Sequence, residues 1–143
     1  MKPITMAVAL LALGAVAAFA DDDPIKARRA LMKANGAATK TVVGMLKGAS
    51  YDQDAVVAAL KSYANAAANA PALFPDSSRT GDTNALPAIW DNKPDLEARF
   101  KKLGDDAAAA MTAITDEASF KATMPGVLKN CGGCHEKYRA KLQ

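Results

Sequence analysis

Both cysteines of this 143-residue chain and its only histidine fall in one pentapeptide, Cys131-Gly132-Gly133-Cys134-His135. C-x-x-C-H is the attachment signature of c-type haem. Two thiols add across the two vinyl groups of one porphyrin, so they must lie on one side of a short helical stretch. The histidine that follows the second thiol is then held under the iron, where a ring nitrogen coordinates it. Other uses of these residues fit less well. A structural zinc site needs four Cys or His ligands, and the chain has only three such residues. A thioredoxin-like pair is expected near a βαβ pattern, not near the end of a helical chain. A plain disulfide leaves the histidine without a role.

The rest of the chain reads as helix. Alanine is abundant, β-branched residues are sparse and aromatics make up 6%, a mix that suits close-packed helices better than sheets. Residues 1–20 read as a secretory signal peptide. Lys2 precedes an apolar run, and Ala18-Phe19-Ala20 forms a small-x-small cleavage site ahead of Asp21-Asp22-Asp23. The run is short for an uncleaved membrane anchor. Export to the periplasm suits haem attachment, which in bacteria takes place outside the cytoplasm. Loss of Lys2 leaves 17 basic residues against 15 acidic ones in residues 21–143. That balance excludes the strongly basic face of a nucleic-acid binder.

Four amphipathic segments follow. The first is expected over 24–47, capped by Asp23 with Pro24 at its first position. Its stripe runs through Ile25, Met32, Thr39 and Leu46, broadened by Val42, Val43 and Met45, and Gly48 supplies a stop. The second starts near Asp52 and closes before Pro71, with Val56, Leu60 and Tyr63 on its buried side. Residues 71–93 carry turn chemistry, yet Leu73, Phe74, Leu86, Ile89 and Trp90 predict a crossover packed over the core. The third segment spans 94–114 through Leu96, Phe100, Leu103, Ala107 and Ala110. The fourth runs from 116 or 117 to the C-terminus, with Phe120, Met124, Val127, Cys131, Cys134, Tyr138 and Leu142 on one face. Pro125 should kink this helix or delay its start. The expected fold is all-α: an antiparallel four-helix bundle with a long loop between helices two and three, and haem near the end of helix four.

With C-x-x-C-H close to the C-terminus, residues 21–143 resemble the class II cytochromes c, the cytochrome c′ superfamily. Further stretches carrying the likeness are Ala30-Leu31-Met32-Lys33-Ala34-Asn35-Gly36, Tyr51-Asp52-Gln53, Leu73-Phe74-Pro75-Asp76-Ser77 and Pro87-Ala88-Ile89-Trp90. The whole is most similar to the low-spin cytochrome c-556 type. The resemblance implies one covalent haem c per chain, His135 as proximal iron ligand, and Met32 as sixth ligand or distal cover. From the residues alone, Met32 suits either role: a thioether is a fitting haem ligand, and buried methionines are commonly core filler. Met45, Met111 and Met124 also lie on helical stripes, and periodicity does not choose among the four.

Arg28, one turn before Met32, and the adjacent Arg29 are candidates to bond a haem propionate; a solvated helix face accounts for them equally well. Gly36 is costly inside a helix and is expected to let the porphyrin approach the backbone. Lys129, Lys137, Arg139 and Lys141 surround the haem segment and suit acidic redox partners, though cations are favoured at a helix C-terminus in any case. No constellation for nucleophilic catalysis is present, so the chain is read as a carrier of single electrons and not as an enzyme. The alternative is a five-coordinate protein binding nitric oxide or carbon monoxide. Redox partner proteins are expected, and Ala-rich surfaces are compatible with a homodimer.

Overall fold

A computed structural model describes residues 23–141; the signal-peptide reading and Leu142 fall outside them. Helix α1 spans Pro24–Leu46, α2 Gln53–Asn69, α3 Ala88–Asp91, α4 Lys93–Ala113 and α5 Glu117–Tyr138. Each long helix begins where a short polar side chain satisfies first-turn amides. Asp23 accepts from Ile25 N and Lys26 N, Asp52 from Ala55 N, and Asn92 from Asp95 N. At α5, Asp116 and Ser119 cap one another's amides reciprocally. Helix α1 stops as a Schellman turn. Gly48 N donates to Met45 O and Ala49 N to Gly44 O, and Gly48 takes φ +108°, which a glycine adopts without penalty.

The crossover between α2 and α4 is partly helical. It contains the 3₁₀ turns Ala70–Leu73 and Asp76–Ser78 and the short α3. It lies back on the bundle as the apolar residues predicted: Ile89 and Trp90 are buried, and the Trp90 indole N–H donates to the carbonyls of Phe74 and Pro75.

Helix α1 packs on α2, α2 on α4 and α4 on α5, while α1 and α5 barely meet. The core accordingly forms two clusters. One holds Val42, Leu60, Tyr63, Leu103, Phe120 and Met124. The other gathers Ile89, Trp90, Leu96, Phe100 and Tyr138, with Met32, Phe74 and Cys134 packed against it.

Three expectations are corrected. Val42 and Met45 are buried on α1 as expected, but the buried stripe continues through Arg28 and Asn35, while Ile25, Met32, Thr39 and Leu46 sit at its margin, partly exposed. A count of apolar spacing passes over polar residues such as Arg28 and Asn35. Helix α5 does not continue to the end of the chain. It stops at Tyr138, and Arg139 forms an antiparallel bridge with Ala85, reinforced by Leu86 N to Tyr138 O and Ala140 N to Asn84 O. Of the kink or delayed start expected at Pro125, the delayed start is absent, since α5 begins at Glu117 with Pro125 inside it.

Candidate functional site

The poorly joined seam between α1 and α5 is where the bundle is hollow. A cavity of about 540 Å³ opens there, lined by Met32 and Gly36 from α1, Leu96 and Phe100 from α4, and Cys131, Cys134 and His135 from α5. Its size falls within the range of cofactor sites, and its walls are mainly apolar. Asn84 and Ala85 of the crossover close one side through the bridge to Arg139.

Helix α5 delivers the three residues of the motif to this wall. Both thiols are free and partly buried, so neither is spent on a disulfide. Burial pushes the Cys131 and Cys134 thiols above their ordinary pKa, with the Arg99 charge opposing the rise at Cys134. The His135 imidazole is pushed down, first by burial and then by Arg139. It is thus held in the neutral form that a metal ligand requires. Free thiols, a neutral imidazole and an apolar cavity of this size on one wall fit covalent haem. Cys131 and Cys134 would hold it, and His135 would bind its iron.

The four methionines within the described residues separate clearly. Met45 and Met124 are locked in the first core cluster and Met111 is exposed. Met32 lines the cavity. Gly36 lines it too, and a methyl group added there would meet no protein atom within 4 Å. The room that a porphyrin needs beside α1 is therefore present.

Arg28 also borders the cavity, but its guanidinium turns to the crossover. Nη1 donates to Leu73 O at 3.0 Å and Ser78 Oγ at 2.8 Å; Nη2 donates to Ser78 O at 3.1 Å and Thr83 Oγ1 at 2.8 Å. Phe74 and Trp90 flank it, with ring centroids 4.9 and 5.8 Å from the guanidinium carbon. Four of its five N–H groups serve the loop, leaving Nε–H for any propionate. Arg29 pairs with Asp82. Of the basic residues around the motif, Lys137 is drawn to Asp95 at 3.1 Å. Lys129, Arg139 and Lys141 form no salt bridge with a described residue.

The sequence reading missed Asn35, Asp95 and Arg99. Asn35 is buried beside the cavity, where its Oδ1 accepts from Ser62 Oγ at 2.8 Å. Arg99 lines the cavity and donates to Gly133 O at 3.0 Å. The i,i+4 spacing of Asp95 and Arg99 is a visible pairing signal; their proximity to the pentapeptide has no local signal.

Comparison with known proteins agrees with this geometry. The profile of the family described as cytochrome C′ matches residues 23–139. A cytochrome c′ of Rhodopseudomonas palustris is 47% identical over 134 residues, 92% of each chain. A cytochrome c-556 of Agrobacterium fabrum is 36% identical over 143 residues, 99% of this chain and 97% of its own. Among solved structures, the Rhodopseudomonas palustris cytochrome c′ superposes with a TM-score of 0.80 at 47% identity, covering 85% of this chain and 98% of its own. The oxidised cytochrome c556 of the same organism gives 0.77 at 32% identity, covering 85% and 99%. Relatives of both names share the fold over nearly their full length, so the likeness reaches the superfamily without choosing between its branches. The four-helix frame, the hollow seam and these relatives together make the chain a member of the cytochrome c′ family, the class II c-type cytochromes.

Proposed function

We propose that this protein is a periplasmic single-electron carrier whose haem c is bonded to Cys131 and Cys134 and ligated by His135 and Met32. Covalent haem c is the cofactor of the family; when bound it supplies a one-electron ferric/ferrous couple. The observation that carries the reading is the placement of Met32. It is the one methionine among the described residues on the cavity wall, and it comes from α1, which meets the His135 helix hardly at all. A group filling the gap has His135 from one helix and Met32 from the other.

Each residue then has a chemical task. The two thiols fix the group's position, and His135 offers a neutral nitrogen. Met32 offers a soft sulfur, a ligand that raises the potential relative to stronger donors. Leu96 and Phe100 give the cavity an apolar wall, which would limit reorganisation as charge changes. With His135 and Met32 both holding the iron, no position would remain for a substrate. Reading residues 1–20 as a leader places the protein in the periplasm. The cations Lys129, Arg139 and Lys141 suit an acidic redox partner.

A second reading has its own support. The relative at 47% identity is named cytochrome c′, and Met32 is only partly buried. In that arrangement Met32 is a steric guard over a vacant iron position that takes nitric oxide or carbon monoxide.

Visible and near-infrared spectra of the purified protein, with and without carbon monoxide, distinguish the two. Electron transfer with Met32 ligation requires low-spin bands, a methionine-to-iron charge-transfer feature and no response to carbon monoxide. Met32→Ala should then abolish the charge-transfer feature and admit carbon monoxide. High-spin bands with ready carbon monoxide binding in the wild type would overturn the electron-carrier reading.

A further inference from the structure

A charged cluster on the α4 side of the cavity has no part in the ligation described above. Asp95, in the first turn of α4, accepts hydrogen bonds from Arg99 Nε at 2.8 Å, Lys137 Nζ at 3.1 Å and the Tyr138 hydroxyl. From that anchor Arg99 extends Nη1 to the carbonyl of Gly133 at 3.0 Å, inside the C-x-x-C-H segment. Its guanidinium carbon stands 5.7 Å from the Tyr138 ring centroid. A Cβ placed on Gly133 would lie 3.7 Å from Nη1. Arg99 shares the cavity wall with Cys134 and His135.

These charges are positioned to act on the cofactor. The Asp95 and Arg99 side chains are 32% and 34% exposed, so their field is screened less than that of free surface groups. The three donors, Arg99 foremost, hold the Asp95 carboxyl well below the ordinary carboxylate range. At neutral pH the cluster therefore contains one anion and two cations. Tyr138 is buried and ties the cluster to the turn that follows His135.

We propose that Arg99 sets the reduction potential: anchored by Asp95 against the Gly133 carbonyl, its guanidinium is a fixed positive charge on the wall of the haem cavity that would disfavour the ferric state, and Asp95 partly cancels it. The electron balance makes the sign definite. Passing one electron to the redox partner leaves the iron with one more positive charge. A nearby cation opposes that change and a nearby anion favours it. Arg99 touches the haem-bearing backbone and not the iron, so it is a positioning and tuning residue. This inference rests on the haem attachment proposed above, through Cys131, Cys134 and His135, and is independent of whether Met32 is a ligand.

Potentiometric titration of the purified holoprotein tests it, with the visible spectrum recorded for every variant. Arg99→Gln should lower the potential, Asp95→Asn should raise it, and Arg99→Lys should stay near the wild type. Tyr138→Phe removes a bond to Asp95 without changing charge, and should shift the potential less than either charge change. Shifts of the same sign in Arg99→Gln and Asp95→Asn, or none in either, overturn the proposal, because loss of a purely structural clamp has no reason to act with opposite signs. Should Arg99→Gln fail to fold, Asp95→Asn still decides: an unchanged or lowered potential refutes the tuning role. A wild-type protein without the haemochrome spectrum of covalent haem overturns the attachment reading itself, and this is seen before any variant is made.

Discussion

Replacing Arg28 by methionine keeps a long side chain in the same slot and removes every donor it presents to the crossover. The cost follows from the fate of the four acceptors. Ser78 Oγ retains its bond to Pro75 O at 2.9 Å, and Thr83 Oγ1 still accepts from Ala85 N at 3.1 Å. The carbonyls of Leu73 and Ser78 keep no other hydrogen bond among the described residues. The buried Ser78 carbonyl left alone costs about 1–3 kcal/mol and the part-buried Leu73 carbonyl less, and the lost cation–π contacts with Phe74 and Trp90 add about 0.5–2 kcal/mol. Working the other way is the guanidinium's own desolvation, which pushes the Arg28 pKa below its ordinary value against the pull of Asp23. The balance for Arg28→Met is a loss of about 2–4 kcal/mol, on the order of 10 °C in Tm for a domain of this size. Urea and thermal unfolding followed by far-UV circular dichroism measure it. Arg28→Lys should recover little, because an ammonium cannot reach four oxygens spread along the loop as a planar fork does. A methionine variant within about 0.5 kcal/mol of wild type, or full recovery by lysine, would refute the clamp.

Gly36→Ala should alter the haem spectrum and yield no gain in stability, since the methyl group would enter the space beside α1; an unchanged spectrum with a gain of about 1 kcal/mol would show that the porphyrin does not need that room. Acid dependence follows from Asp95, whose folded pKa lies below its unfolded value of 3.8. The unfolded chain binds the proton more readily, so the stability Asp95 contributes is full above about pH 4 and is lost as pH falls through the lower folded value. Asp95→Asn should therefore flatten the fall in stability below pH 4, measured by denaturant unfolding across that range; an unchanged slope would remove Asp95 from the acid response.

Helix boundaries were legible because they are set by local chemistry. Asp23 with Pro24, Gly48, Asp52 and Asp116 each mark an end through hydrogen bonds or φ angles spanning a few residues, and the helices begin and stop there within about two positions. The pentapeptide stands out by its spacing alone, and the structure puts its two cysteines and histidine on one cavity wall. The end of α5 was not legible. Tyr138 is followed by an extended Arg139 because the crossover supplies Ala85 as a bridge partner more than 50 residues away in sequence, and no helical signal encodes that.

The interior face of α1 shows the same division. Val42 and Met45 lay on the expected stripe, but Arg28 and Asn35 were not expected to be buried on it; they are because the crossover and α2 bring oxygen partners to them. Polar residues enter a core only when partners arrive with them, and those partners come from other elements. The choice among Met32, Met45, Met111 and Met124 had the same dependence. All four fit helical stripes, and only packing puts two in the core, one in solvent and one on the cavity wall. Local propensity and caps were sufficient to specify four helices and a haem-bearing turn. Which side chains line the cavity, and with what charge around it, depended on α1 and α5 being held apart by the helices between them, because a cavity belongs to several elements at once and to none alone.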